Sequence, residues 1–181
     1  MIVRAASEAD APAVAAIYGH HVLNGHGTFE EVPPSADEIA ARIAGVLGDG
    51  LPYLVAEQGG QIVGFAYAAP YRPRSAYRYT AEDSVYIHPD HLGQGIGKAL
   101  VAEVIRACEA MGLRQLVAVV GGSANAGSIG LHRSLGFVET GIGRALGYKH
   151  GRWVDVVWMQ KALNGGAATA PAGSGLKLGG G

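Results

Sequence analysis

"HPDHLGQGIGKALVAEV", residues 88–104, links a strand-like run ending at Ile87 to an apolar-periodic helix through Gly93, Gly95, Gly97 and Lys98. A strand, a glycine-rich turn and a helix start, in that order, leave unpaired backbone N–H groups at a helix N-terminus, where the helix dipole favours an anion. Glycine lets the backbone approach a ligand closely and adopt positive φ. The same glycines also suit a tight strand-to-helix turn without a ligand, so both readings stay open at this point. Two nucleotide patterns fail on residue identity. A GxxxxGK[ST] loop needs Gly at 92 and Ser or Thr at 99, where the chain has Leu92 and Ala99. A GxGxxG fingerprint started at Gly93 meets Lys98 where the third glycine belongs.

Working outward, "IVRAA" is a short strand, Ser7 and Asp10 mark a helix start, and Ala13, Val14, Ile17 and Tyr18 recur at helical spacing. Residues 23–34 read as a loop in which Phe29 and Glu30 either face a ligand or lie on the surface. Ser35 caps a second helix with an apolar stripe of Ile39, Ile43, Val46 and Leu47. "YLVAE", "QGG" and "QIVGFAYAAP" form a hairpin, and "YTAEDSVYI" is a third long strand. After the glycine loop, Leu100, Val101, Val104, Ile105, Cys108 and Met111 line one side of a helix that stops at Gly112. A buried strand "QLVAVV", a short helix from Asn125 to Gly136 and two further strands complete the pattern. Strand, two helices, three strands, helix, strand, helix and two strands predict a mixed α/β sheet with helices on its faces. Residues 1–163 are expected to form one domain, and 164–181, "NGGAATAPAGSGLKLGGG", a flexible tail.

The 181 residues are 49% hydrophobic and 16% charged with a formal net charge of -1, which argues against nucleic acid and membrane surfaces as partners. No apolar run is long enough for a membrane span. A single cysteine, Cys108, excludes a disulfide framework, and its place on an apolar stripe fits a buried thiol better than a covalent nucleophile. The seven histidines form no ligand pair, so no metal is expected. A cytoplasmic setting follows from these features.

A second element settles the glycine loop. "NAGSIGLHRSLGF" places Asn125, Ser128, His132, Gly136 and Phe137 downstream of the loop at a spacing that resembles the GNAT superfamily of N-acetyltransferases. "YAAPYRPRSAYRYTAEDSVYIHPDH" and "GYKHGRWVDVVWMQ" resemble its phosphinothricin and methionine sulfoximine N-acetyltransferase branch, from about residue 2 to residue 163. The resemblance implies a GNAT-type, mostly antiparallel sheet with helices on both faces and acetyl-coenzyme A as co-substrate. Gly93, Gln94, Gly95, Ile96, Gly97 and Lys98 would hold its pyrophosphate. Asn125 and Ser128 would meet the pantetheine arm, and the backbone of Val85, Tyr86 and Ile87 would pair with that arm like an added strand. Leu92 stands where the family usually has Gln or Arg, which leaves phosphate holding to backbone amides and Lys98.

For chemistry, the resemblance implies Glu82 as the base that deprotonates an amine and His132 as the acid for the leaving thiolate or an aid to deprotonating the amine, with the backbone amide near Ile87 donating to the thioester oxygen. Arg72 and Arg74 would hold an acceptor carboxylate, and Phe29, Tyr77, Asp83 and Ser84 would shape the rest of that site. The implied reaction is direct transfer to a small amino acid or analogue in a ternary complex, by a homodimer in which "KHGRWVD" closes the site or reaches across the interface. A non-catalytic acyl-coenzyme A binding module, and an enzyme acting on a peptide or another amine, are the competing expectations.

Overall fold

A computed structural model describes residues 1–178. Its elements follow the predicted order: β1 (Ile2–Ala5), α1 (Ala11–Asn24), α2 (Ala36–Gly48), β2 (Tyr53–Gln58), β3 (Gln61–Pro70), β4 (Thr80–Ile87), α3 (Ile96–Ala110), β5 (Gln115–Gly121), α4 (Ala126–Ser134), β6 (Val138–Lys149) and β7 (Arg152–Ala162). The seven strands form one sheet in the order β1-β2-β3-β4-β5-β7-β6, antiparallel except between β4 and β5.

Local chemistry sets the element ends. Ser35 accepts a hydrogen bond from the Glu38 amide while the Glu38 carboxylate accepts from the Ser35 amide, a capping box that starts α2. Asp10 closes a similar box with Ser7 and is also held by both terminal nitrogens of Arg4, which lowers its carboxyl to about 2. α1 and α2 cover one face, packing Val14, Ile17, Ile39 and Ile43 on Val55 and Phe65. α3 covers the other, packing Leu100, Val101, Val104 and Cys108 on Val63, Ala66, Leu116 and Ala118. At roughly 25 cal/mol per Å² of apolar surface, these two burials are the main force holding the helices onto the sheet.

Two stripe residues and the tail depart from expectation. Leu47 and Met111, the outermost members of their stripes, are exposed because each sits at the end of its helix, where the helix leaves the sheet. The segment after Asn164 is docked rather than free: Arg114 donates to the carbonyls of Gly166, Thr169 and Ala170, Tyr79 donates to that of Gly173, and Leu176 is buried beside the α3 core. Composition predicts a segment without a core of its own. It does not register that one leucine and an arginine elsewhere can strap it down.

Candidate active site

The parallel pairing of β4 with β5 runs only from Thr80↔Gln115 to Asp83↔Ala118, whereas β5 stays paired with β7 as far as Gly121. Beyond Asp83 the two strands diverge, and residues 84–87 face residues 119–121 across a wedge. A cavity of about 660 Å³ opens there, lined by Val85, Tyr86, Ile87, Val120, Gly121 and the glycine loop. An extended chain carrying amides can complete both strand edges in such a gap.

The wedge ends at the N-terminus of α3. Gly93 and Gly95 have φ of 74° and 78°, a region that other residues enter only with strain, and both line the cavity. Gly97 serves packing instead, since a Cβ there would press on the Leu131 side chain and its absence lets α3 and α4 approach. Lys98 and Leu92 also line the cavity, whereas Gln94 does not. Asn125 accepts from the Ser128 amide at 3.2 Å as the cap of α4, and both residues line the cavity. The donor set, backbone amides at a helix start beside one lysine and an open strand edge, fits a pyrophosphate followed by a pantetheine arm.

Alternation along β4 separates two carboxylates that are adjacent in sequence. Glu82, Ser84 and Tyr86 face the α1 side, while Ala81, Asp83 and Val85 face α3. Burial pushes the Glu82 carboxyl above its ordinary range, against the pull of Arg72 and with the help of Asp83. On the other face, Asp83 Oδ2 lies 3.0 Å from His132 Nε2 in a pair that is nearly inaccessible to water. His132 Nδ1 donates to the Ser128 carbonyl at 2.8 Å, and Phe137 meets the ring edge-on. Burial alone would lower the His132 pKa, but the hydrogen bond and charge of Asp83 outweigh it and raise the value. Cys108 is a buried thiol, pushed up to about 12 chiefly by burial.

The expected acceptor residues are more dispersed. Arg72 lies over the Tyr71 ring at 4.7 Å, and Tyr77 packs on Tyr71 beside a second cavity of about 400 Å³. Arg74 is exposed at the start of the short 75–77 turn. Phe29 packs over Gly147 of β6. Ser84 shares the wedge face with Tyr86, whereas the Asp83 side chain points away from them toward α4.

Three contributors were not singled out by sequence. His21 donates from Nε2 to the Ile87 carbonyl at 2.8 Å and lines the wedge. Its place one turn beyond Ile17 and Tyr18 was the available signal. His26 lies against Gly121, where a Cβ would overlap its carbonyl oxygen. Lys149 is buried and donates to the Thr28 carbonyl at 2.8 Å, tying the β6–β7 hairpin to the loop after α1. Among the described residues no cluster of three potential metal ligands occurs, and no helix is long and apolar enough to cross a membrane.

Residues 20–137 match the model of the Acetyltransferase (GNAT) family. The chain is 54% identical over 169 residues to the phosphinothricin N-acetyltransferase of Alcaligenes faecalis, covering 93% of this chain and 86% of that one. It is 38% identical over 168 residues to the L-methionine sulfoximine/L-methionine sulfone acetyltransferase of Salmonella typhimurium, covering 93% and 98%. A solved structure of a GNAT superfamily phosphinothricin acetyltransferase from Sinorhizobium meliloti, in complex with acetyl-coenzyme A, superposes with a TM-score of 0.91 at 47% identity, covering 94% of this chain and 92% of that one.

Proposed function

The chain belongs to the Acetyltransferase (GNAT) family and is an N-acetyltransferase; from that premise we propose that it acetylates the amine of a small amino acid or analogue of the phosphinothricin, methionine sulfoximine or methionine sulfone type. The observation that carries this reading is the wedge between β4 and β5, which opens at the glycine loop and leads to Ser84, two residues along β4 from Glu82. Its depth between two strands suits direct transfer in a ternary complex.

The residues take these roles. The amides of the loop around Gly93, Gly95 and Ile96, with Lys98, hold the pyrophosphate. The edges of Val85, Tyr86 and Ile87, with Asn125 and Ser128, orient the arm. Bound acetyl-coenzyme A supplies the acetyl group as a thioester and leaves as a thiol. Glu82, whose raised pKa suits it to accept a proton near neutrality, takes the ammonium proton of the acceptor. Arg72 and Arg74 hold the acceptor carboxylate with Phe29 and Tyr77 around it. His132 supplies a proton on the thiol side.

The protein works as a cytoplasmic homodimer. Leu146, Tyr148 and Trp153 form an exposed apolar patch on the β6–β7 hairpin, next to Lys149 and the loop after α1, and support pairing through that face. Residues 1–163 are the catalytic unit.

The test is thiol release from acetyl-coenzyme A with phosphinothricin, methionine sulfoximine, methionine sulfone, peptides and aminoglycosides. Turnover confined to the amino-acid analogues supports the reading. Turnover on a peptide amine alone overturns the substrate class, and cofactor-induced thermal stabilisation without turnover on any amine points to a binding module.

A further inference from the structure

We propose that Asp83 is a positioning residue that holds His132 as an imidazolium, and that this buried pair supplies the proton taken up by the departing sulfur. The inference rests on the acetyl-transfer reading above.

The proton count follows from the hydrogen bonds. The Ser128 carbonyl can only accept, so His132 Nδ1 carries a hydrogen. A carboxylate oxygen stands 3.0 Å from Nε2, and two facing lone pairs would repel, so a second proton lies between them. The ring therefore has both nitrogens satisfied only as the cation, or with its proton shared with Asp83. Water cannot compensate either partner, because His132 is 3% and Asp83 4% exposed. Losing the His132 charge would strand a buried carboxylate, which is costly, and the pair stays assembled for that reason.

Position makes the pair relevant to the reaction. Both residues line the wedge, and Asp83 Oδ1 is buried with no partner of its own. Glu82 lies on the opposite face of β4. Proton uptake from the amine and proton delivery to sulfur thus fall to different groups on two sides of one strand. In the delivery step the His132 Nδ1–H bond breaks and an S–H bond forms, the Ser128 hydroxyl, 3.4 Å from Nδ1, bridging to the wedge, while Nε2–H stays on Asp83. A proton from water then restores the imidazolium, balancing the one released from the ammonium through Glu82.

The groups that bear on this titration come from each neighbouring element. Asp83 and, across the strand, Glu82 come from β4, and α3 brings the neutral Cys108 thiol together with Lys98 at the far end of the cavity. The stretch of β5 facing the pair, residues 118–120, carries no titratable side chain, and His21, His26 and His91 line more distant parts of the wall.

Nuclear magnetic resonance titration of the His132 ring nitrogens in the unliganded protein tests the pair directly. The wild type should keep both ring protons at pH values where free imidazole has lost one, and Asp83→Asn should bring the midpoint below that of free imidazole. In kinetics Asp83→Asn should lower kcat about a hundredfold, move the alkaline limb of kcat to lower pH and leave KM for acetyl-coenzyme A within about twofold. The Asp83→Asn, His132→Asn double variant should be no slower than the slower single one, since the two act as a unit. A His132 that is neutral at neutral pH in the wild type, or unmoved by Asp83→Asn, overturns the proposal. If Asp83→Asn does not fold, Asp83→Ser carries the same titration. Because the titration needs no substrate, lack of turnover on every amine would overturn the functional reading without touching the pair.

Discussion

His21 Nε2 donates to the carbonyl oxygen of Ile87 at 2.8 Å, tying the end of α1 to the last residue of β4. The bond fixes the strand edge that faces the wedge and uses the neutral ring, whose pKa burial holds below the ordinary imidazole value. His21→Ala should destabilise the fold by about 1–2 kcal/mol and weaken acetyl-coenzyme A binding several-fold. Denaturant unfolding and cofactor titration measure the two effects.

The half-buried His21 and the buried His132 impose opposite pH dependences on stability. His21 is depressed in the folded state, so its contribution is present above the unfolded value of about 6.5 and falls away as pH drops through the folded one. His132 is raised, so its contribution is complete below about 6.5 and is lost as pH rises through the folded value. Unfolding free energies from about pH 5 to about pH 9 should show His21→Ala flattening the acid side and Asp83→Asn flattening the alkaline side. Identical profiles for both variants would contradict these assignments.

Glu82→Gln separates catalysis from stability. Loss of the proposed proton acceptor should reduce kcat by about 10²- to 10⁴-fold and abolish the acid limb of the rate profile, which in the wild type should lie above the usual carboxylate range. Cofactor affinity should not change. A carboxyl raised by burial costs stability once ionised, so Glu82→Gln should also raise the melting temperature at pH 8 by a few degrees. Turnover that stays at the wild-type level would remove Glu82 from its assigned role.

Gly97 and Gly121 look alike in sequence and should respond differently to alanine. At Gly97 the added methyl meets the end of the Leu131 side chain, which can shift, and alanine gains about 1 kcal/mol of helix propensity, so the net change is small. At Gly121 it meets the His26 carbonyl, which is backbone. Gly121→Ala should cost more than about 2 kcal/mol and displace the loop after α1, visible as altered His26 resonances.

The C-terminal strap is held weakly. It rests on one buried leucine, Leu176, and on hydrogen bonds from Arg114 and Tyr79 to its carbonyls. The strap should therefore open locally well before the sheet does. Ending the chain at Leu163 should lower stability by no more than about 2 kcal/mol while loosening residues 71–79, which carry Arg72, Arg74 and Tyr77. Hydrogen exchange of both segments, with KM for the amine, checks this.

Sequence periodicity made nearly all the fold legible, because each helix and strand shows an apolar pattern that one neighbour satisfies. The mouth of the wedge was legible for the same reason: a glycine-rich turn before a helix advertises its unpaired amides. What stayed hidden depends on pairs far apart in the chain. Asp83 and His132 are 49 positions apart, and nothing local to either indicates that they meet. His21 and Ile87 are 66 apart, and Lys149 reaches Thr28 across 121. Alternation does predict that Glu82 and Asp83 face opposite sides, yet only the position of α4 shows what waits on the second side.

The early separation of β4 from β5 has a thermodynamic consequence. The sheet carries a seam in which β4 and β5 no longer bond to each other beyond Asp83 and Ala118, so a ligand lying there adds hydrogen bonds that the two strands do not make. Occupancy then adds to folding free energy as RT ln(1 + [L]/Kd), roughly 2.7 kcal/mol at a hundredfold excess over Kd. Acyl-donor occupancy would thereby set the resistance of each copy to proteolysis as well as its turnover.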